Sequence, residues 1–290
     1  MHTVTISYEA PLARWMGRGR MQRLLPAAWS ELNSRQAWHC MDIIIRGLPR
    51  RRLLEYLLDM PLYMLRRVGT GQMYDLLKCI EWMDIDRSYT HPIAPYIDII
   101  VGKSSYRLYL PSAQFSNVTG LEYVLLDDLY KRFIQDRNPE DEVRMISMML
   151  RPSGITPDPA SDQRVQLISS KQAEAWAPLV RSLPDSIRAY MTTLISANRD
   201  QLHSMYGPWL FSGSGIDTKE GEATPEPEGL NFGWWGAFLD IAQDGVFGDH
   251  DHVLQTPIHT ICTHMIRKVD EARRRKQEHD HAMIRSGMNR

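Results

Sequence analysis

The chain reads as a mainly α protein, an irregular multi-helix bundle with a short N-terminal strand and a small β-hairpin near residues 96–110. Three observations carry that reading. Apolar residues recur at spacings of three and four over most of the chain, as in Ile187, Tyr190, Met191, Leu194 and Ile195. Helix-start signals precede several of these stripes, among them Thr119, Asn138-Pro139 and Thr256-Pro257. Only Thr3–Tyr8 and Tyr96–Leu110 alternate with period two.

The elements follow in order. An Arg-rich segment after the first strand (Arg14, Arg18, Arg20, Arg23) reads as a solvated loop, because no aromatic platform for bases accompanies the charges. Asn33 or Ser34 caps a helix through Ile45 with Trp38, Met41, Ile44 and Ile45 inward. Pro49–Val68 forms one or two short helices broken at Pro61, and Thr70 caps another that ends near Met83. Between the alternating runs 97–101 and 106–110, the string Gly102-Lys-Ser-Ser is a turn. A phosphate-binding loop would need glycine where Ile97 stands and a helix afterwards.

Thr119 opens a helix to Gln135 with Leu121, Val124, Leu125, Leu129 and Phe133 inward. Asp127 and Asp128 diverge by about 100° around that helix, so they cannot form an acid/base pair; solvent exposure is expected of them, with a partner or a buried arginine as the alternative for one. Asn138-Pro139 with the acids after it starts a helix ending at Arg151-Pro152. Pro184–Asn198 is the most regular helix. Asn231 then caps a helix with Phe232, Trp235, Phe238, Leu239 and Ala242 on one face, and Gly245 and Gly248 end it. Thr256-Pro257 starts the last stripe (Ile258, Ile261, Cys262, Met265, Ile266, Val269), followed by a charged helix expected to fray. Composition divides the chain into a helical region with the hairpin (residues 1–153), a second helical region (154–211), a flexible acidic linker (212–229) and a helical hairpin with a basic tail (230–290).

Composition also excludes classes of function. A hydrophobic content of 43% and a net charge of −1 describe a globular chain with no global field for nucleic acid or acidic membranes. No apolar run reaches the roughly 20 residues of a membrane span, the N-terminus has no signal-peptide pattern, and Cys40, Cys79 and Cys262 form no framework. A protein that is cytoplasmic where it is made is expected. No serine-hydrolase elbow, dinucleotide fingerprint or zinc-protease motif occurs, so no catalytic residue and no cofactor is assigned.

Two constellations remain. His250, His252, His259 and His264 carry atoms suited to a transition metal, but His264 lies about 140° from His259 around the helix and Cys262 belongs to the apolar stripe. They read as surface polar groups rather than ligands. His39 and Cys40, neighbours on one helix, point apart, and Cys40 reads as core. As partner-binding candidates the sequence offers Trp234 and Trp235 at a helix entry and the basic run Arg273, Arg274, Arg275 and Lys276.

Four phrases in a fixed order carry a family resemblance. They are Trp29-Ser-Glu-Leu32 with Gln36 after the first strand; Tyr109-Leu-Pro111 followed by Phe115-Ser-Asn-Val-Thr119-Gly-Leu-Glu122-Tyr; Met149-Leu-Arg-Pro152; and Gly233-Trp-Trp-Gly236 with Gly245-Val-Phe-Gly248 and Thr256-Pro257. In this order the chain resembles tail-assembly proteins, some described as tail assembly chaperones, of phages and prophages of Bacteroidota-type hosts. The Arg-rich insertion before Trp29 and the acidic linker have no counterpart in that pattern. The resemblance implies a non-enzymatic assembly factor whose partners are phage tail proteins such as the tape measure protein, with self-association open to it. Two other readings compete: a structural virion protein of tail, neck or baseplate, and a metal-dependent enzyme using the late histidines.

Overall fold

The computed structural model describes residues 1–9, 18–83, 90–152, 164, 167, 169–210 and 233–287. The expected seam at 154–165 (Arg164 apart), the linker 212–229, Arg14, the Asn231 cap and Phe232 lie outside these residues. The architecture is mainly α with two small sheets. Among the described residues, no helix is long and apolar enough to cross a membrane.

The first strand is one half of a pair. β1 (His2–Glu9) runs antiparallel to β2 (Arg18–Leu25), so most of the segment expected as an Arg-rich loop is a strand. The correction has a simple cause. Ile6 and Leu25 are fully buried and Val4 and Met21 half-buried, so each strand sends an apolar row inward while Arg20 and Gln22 face out. The outer edge of β1 is closed by a bridge from Tyr8 to Val68 and by one side chain. The Gln72 amide accepts the Ser7 N–H at 3.0 Å and donates to the Thr5 carbonyl at 2.7 Å, standing in for a third strand.

α1 (Ser34–Ile45) starts with a capping box. Asn33 accepts the Gln36 N–H at 2.9 Å, and the Gln36 side chain accepts the Asn33 N–H at 3.1 Å. The helix serves two cores. Cys40 and Ile43 join a cluster with β1–β2, α2 (Arg51–Leu57), α3 (Leu62–Leu65) and α4 (Thr70–Lys78). Ala37, Trp38 and Met41 join the larger cluster formed by the rest of the chain. Ile44 and Ile45, expected inward, are only half-buried, and Ile43 takes the core position. α4 stops at Lys78, short of the expected Met83, where a 3-10 turn (Glu81–Met83) takes over; Gly69, not Thr70, precedes its first turn.

β3 (Tyr96–Val101) and β4 (Ser104–Tyr109) form the expected hairpin. Gly102 at φ 64° supplies the left-handed turn residue of the two-residue loop. A two-residue strand β5 (Arg151–Pro152) pairs with β4, giving the order β3-β4-β5 and leaving β3 at an edge.

α5 (Gly120–Asp136) and α6 (Pro139–Met149) begin at the Thr119 and Asn138 caps. They share the large core with α7 (Ser170–Arg181), α8 (Asp185–Leu210), α9 (Gly233–Gln243), α10 (His250–Gln255) and α11 (Ile258–Gly287). Here the structure corrects three expectations. Leu239 on α9 is exposed and Ile241 is buried. The segment between Gly248 and Thr256 contains α10, capped by Asp249, and the Thr256 hydroxyl donates to the His252 carbonyl instead of opening the last helix. That last helix, expected to fray, runs unbroken to Gly287. Its start is locked to the start of α5: the Ile258 N–H donates to the Val118 carbonyl at 2.8 Å and the Gly120 N–H to the Thr256 carbonyl at 2.9 Å.

Candidate functional site

The structure disperses the late histidines. The His259 Nε2 donates to the Gln114 carbonyl at 2.6 Å, and its Nδ1 shares a hydrogen bond with the Tyr206 hydroxyl at 2.8 Å. Both nitrogens are therefore spent on holding α11 against α8 and the 3-10 turn Ala113–Phe115. His252 reaches back to its own cap residue, Asp249, at 2.7 Å. The rings of His250 and His264 lie against Trp235 and Phe247, at centroid distances of 6.2 and 5.2 Å. Among the described residues no three metal-ligating side chains converge. His39 stacks on Tyr56 at 4.1 Å while Cys40, one residue on, is buried, and burial pushes its thiol up to about 12.

The partner-binding candidates divide. Trp234 packs edge-on against buried Tyr123 at 5.2 Å, and both tryptophans are half-buried on the large core. Their aromatic area is already engaged within the chain. Arg273–Lys276 lie on the distal half of α11, where residues 271–279 and 281–284 are exposed. Arg273 stands over the Trp209 ring at 5.8 Å and Arg274 pairs with Asp270 at 2.7 Å. Met283 and Ile284 near its end are 61% and 59% exposed, so this half-helix offers polar and apolar surface together.

Two buried charge networks and one cleft were not legible beforehand. Glu122 bonds Arg151 at 2.6 Å and Arg164 at 3.3 Å, all three buried. It also completes a capping box with Thr119. Asp127, expected in solvent, is 2% exposed and bonds both Arg199 and Lys131 at 2.7 Å. The Thr119-x-x-Glu122 spacing signals a cap, but nothing local announces arginines arriving 29 and 42 residues later.

The cleft, about 1050 Å³, lies between α1, the β3 edge and the α7–α8 turn. Arg35, His39 and Asp42 line its helical wall, Asp98 and Ile100 the strand, and Pro184 the turn. Ile100 is 78% exposed. The signal that could have found it is the run Ile99-Ile100-Val101, which breaks the alternation by placing an isoleucine on the face of Asp98.

Compared with protein-family models, with curated proteins and with solved structures, the chain finds no match.

Proposed function

We propose that the protein is a non-enzymatic phage tail-assembly factor that holds a tail component, such as the tape measure protein, through its C-terminal helical arm. The observation that carries this reading is the arm itself. Residues 271–279 and 281–284 of α11 are all exposed, and a helix exposed on all sides gains no stability from burial. Pairs one turn apart, Arg267–Glu271 and Asp270–Arg274, support it locally. An exposed helix bearing a basic run and an apolar tip can lie along another chain. The family resemblance supplies the identity of that chain.

The test is removal of the arm. A chain ending at Asp270 keeps its two cores and is expected to melt with the full-length protein. Co-expressed with the tape measure protein of the same source, it is expected to lose that partner on copurification. Retention of the partner by the shortened chain overturns the reading. Peptide mass spectrometry of purified particles and cleared lysate provides the second arm. Peptides confined to lysate fit an assembly factor, whereas stoichiometric recovery in particles replaces it with a structural role.

A further inference from the structure

Three observations fix which way the backbone of β3 faces. The Leu110 N–H donates to the Pro95 carbonyl, the register pairs Ile97 with Leu108 and Ile99 with Tyr106, and a two-residue loop joins Val101 to Ser104. Antiparallel ladders alternate, so residues 95, 97, 99 and 101 bond β4, whereas Tyr96, Asp98 and Ile100 turn their N–H and C=O groups away from it. Trp38 confirms the phase, because its Nε1 donates to the Tyr96 carbonyl at 2.8 Å. Beyond that point the edge is open. Asp98 and Ile100 have no backbone partner on that side among the described residues. β1 differs: Gln72 closes its edge at the Thr5 carbonyl and the Ser7 N–H, on either side of Ile6, and Tyr8 bridges Val68.

The open edge is recessed. It forms one wall of the cleft of about 1050 Å³, opposite α1 and the α7–α8 turn, a volume at the upper end of the about 300–1,000 Å³ typical of ligand pockets. The charge of the cleft is also uneven. Both carboxylates in it are committed, Asp42 to Arg46 at 2.8 Å and Asp98 to Arg107 at 2.7 Å, whereas Arg35 has no carboxylate partner among the described residues. The exposed apolar surface of Ile100 lies along the same edge.

We propose that this cleft is a docking site for an extended acidic segment of a partner protein, which adds to β3 as a strand by bonding the backbones of Asp98 and Ile100. An acidic side chain of the segment faces Arg35, and an apolar one covers Ile100. Backbone pairing supplies the affinity and the side chains supply the selectivity. The site is separate from the α11 arm, and its test does not depend on what the arm binds.

The probe is a capped hexapeptide alternating valine and glutamate, titrated into the full chain and followed by amide hydrogen exchange. Saturable binding with slowed exchange at Asp98 and Ile100 is expected. Ile100→Pro removes an outward N–H that no strand partner uses, a substitution edge strands accept, and is expected to weaken binding about tenfold. Ile100→Ala keeps the N–H and is expected to stay within about threefold of the parent. A lysine-for-glutamate peptide is expected to bind about threefold more weakly, a gap that Arg35→Gln closes. Should Ile100→Pro fail to fold, the same peptide with alternate amides N-methylated replaces it, and must bind about tenfold more weakly. Equal binding by the methylated peptide or by a folded Ile100→Pro overturns the proposal. So does protection confined to other residues, or no binding by the acidic peptide up to about 1 mM.

Discussion

The indole of Trp38 holds the carbonyl of Tyr96 at 2.8 Å while its ring stands edge-on to Tyr190 at 5.4 Å, tying α1, the edge of β3 and α8 at one point. Trp38→Phe keeps an aromatic ring in that place and removes only the donor. The Tyr96 carbonyl then lacks its protein partner beside the open cleft, where water can reach it. A loss of about 0.5–1.5 kcal/mol is expected in urea unfolding, with no change in slope. Faster exchange of the β3–β4 amides should accompany it.

Glu122 carries three demands at one buried position. Its carboxylate answers two buried guanidiniums, Arg151 and Arg164, and closes the cap of α5. Glu122→Gln preserves the shape but takes this carboxylate from both buried guanidiniums. Breaking one member of a buried pair costs about 3–5 kcal/mol, which the unfolding midpoint will report. A variant within about 0.5 kcal/mol of the parent would show that the pairing is not structural.

Asp127 gives the protein a defined acid sensitivity. Burial alone would raise its pKa, but hydrogen bonds from Lys131 and Arg199 outweigh that and hold the carboxyl below the usual carboxylate range. A folded-state value below the unfolded one means stability that is present above the unfolded value, about 3.9, and is lost as pH falls through the folded value. Asp127→Asn removes this term. Its unfolding midpoint is expected to fall less than the parent's between about pH 5 and pH 2, after allowing for its lower starting stability.

The three cysteines should separate chemically. Cys40 and Cys262 are fully buried, and burial pushes each thiol up to about 12, whereas Cys79 is half-buried. Only Cys79 is expected to react with iodoacetamide in the native protein near pH 8, and all three in denaturant. Rapid native labelling of Cys262 would mean that α11 detaches from the body.

The local signals transferred well wherever one segment carried the whole cause. The Asn33, Thr119 and Asn138 caps, the Gly102 turn and the stripe of α8 each depend on residues within a turn of one another, and each stands where its pattern predicts. The exceptions show where local reasoning ends. The charges of Arg20 and Arg23 concealed a strand, because pairing with β1 turns Arg20 to the outer face, while Arg23, in the row of Met21 and Leu25, donates from its Nε to the Leu58 carbonyl at 3.1 Å. Asp127 was expected outside, because only the approach of α8 brings Arg199 to meet it.

The sequence by itself determined a mainly α chain, most of its helix starts and its hairpin, all fixed by interactions within a few residues. Tertiary structure alone decided which charges are buried, which histidines are occupied and which strand edge stays open. Those outcomes depend on what arrives from the far side of the fold. Gln72 reaches β1 from 67 residues away, while β3 receives only Trp38, and the difference between a sealed edge and an open one exists only once the helices have packed.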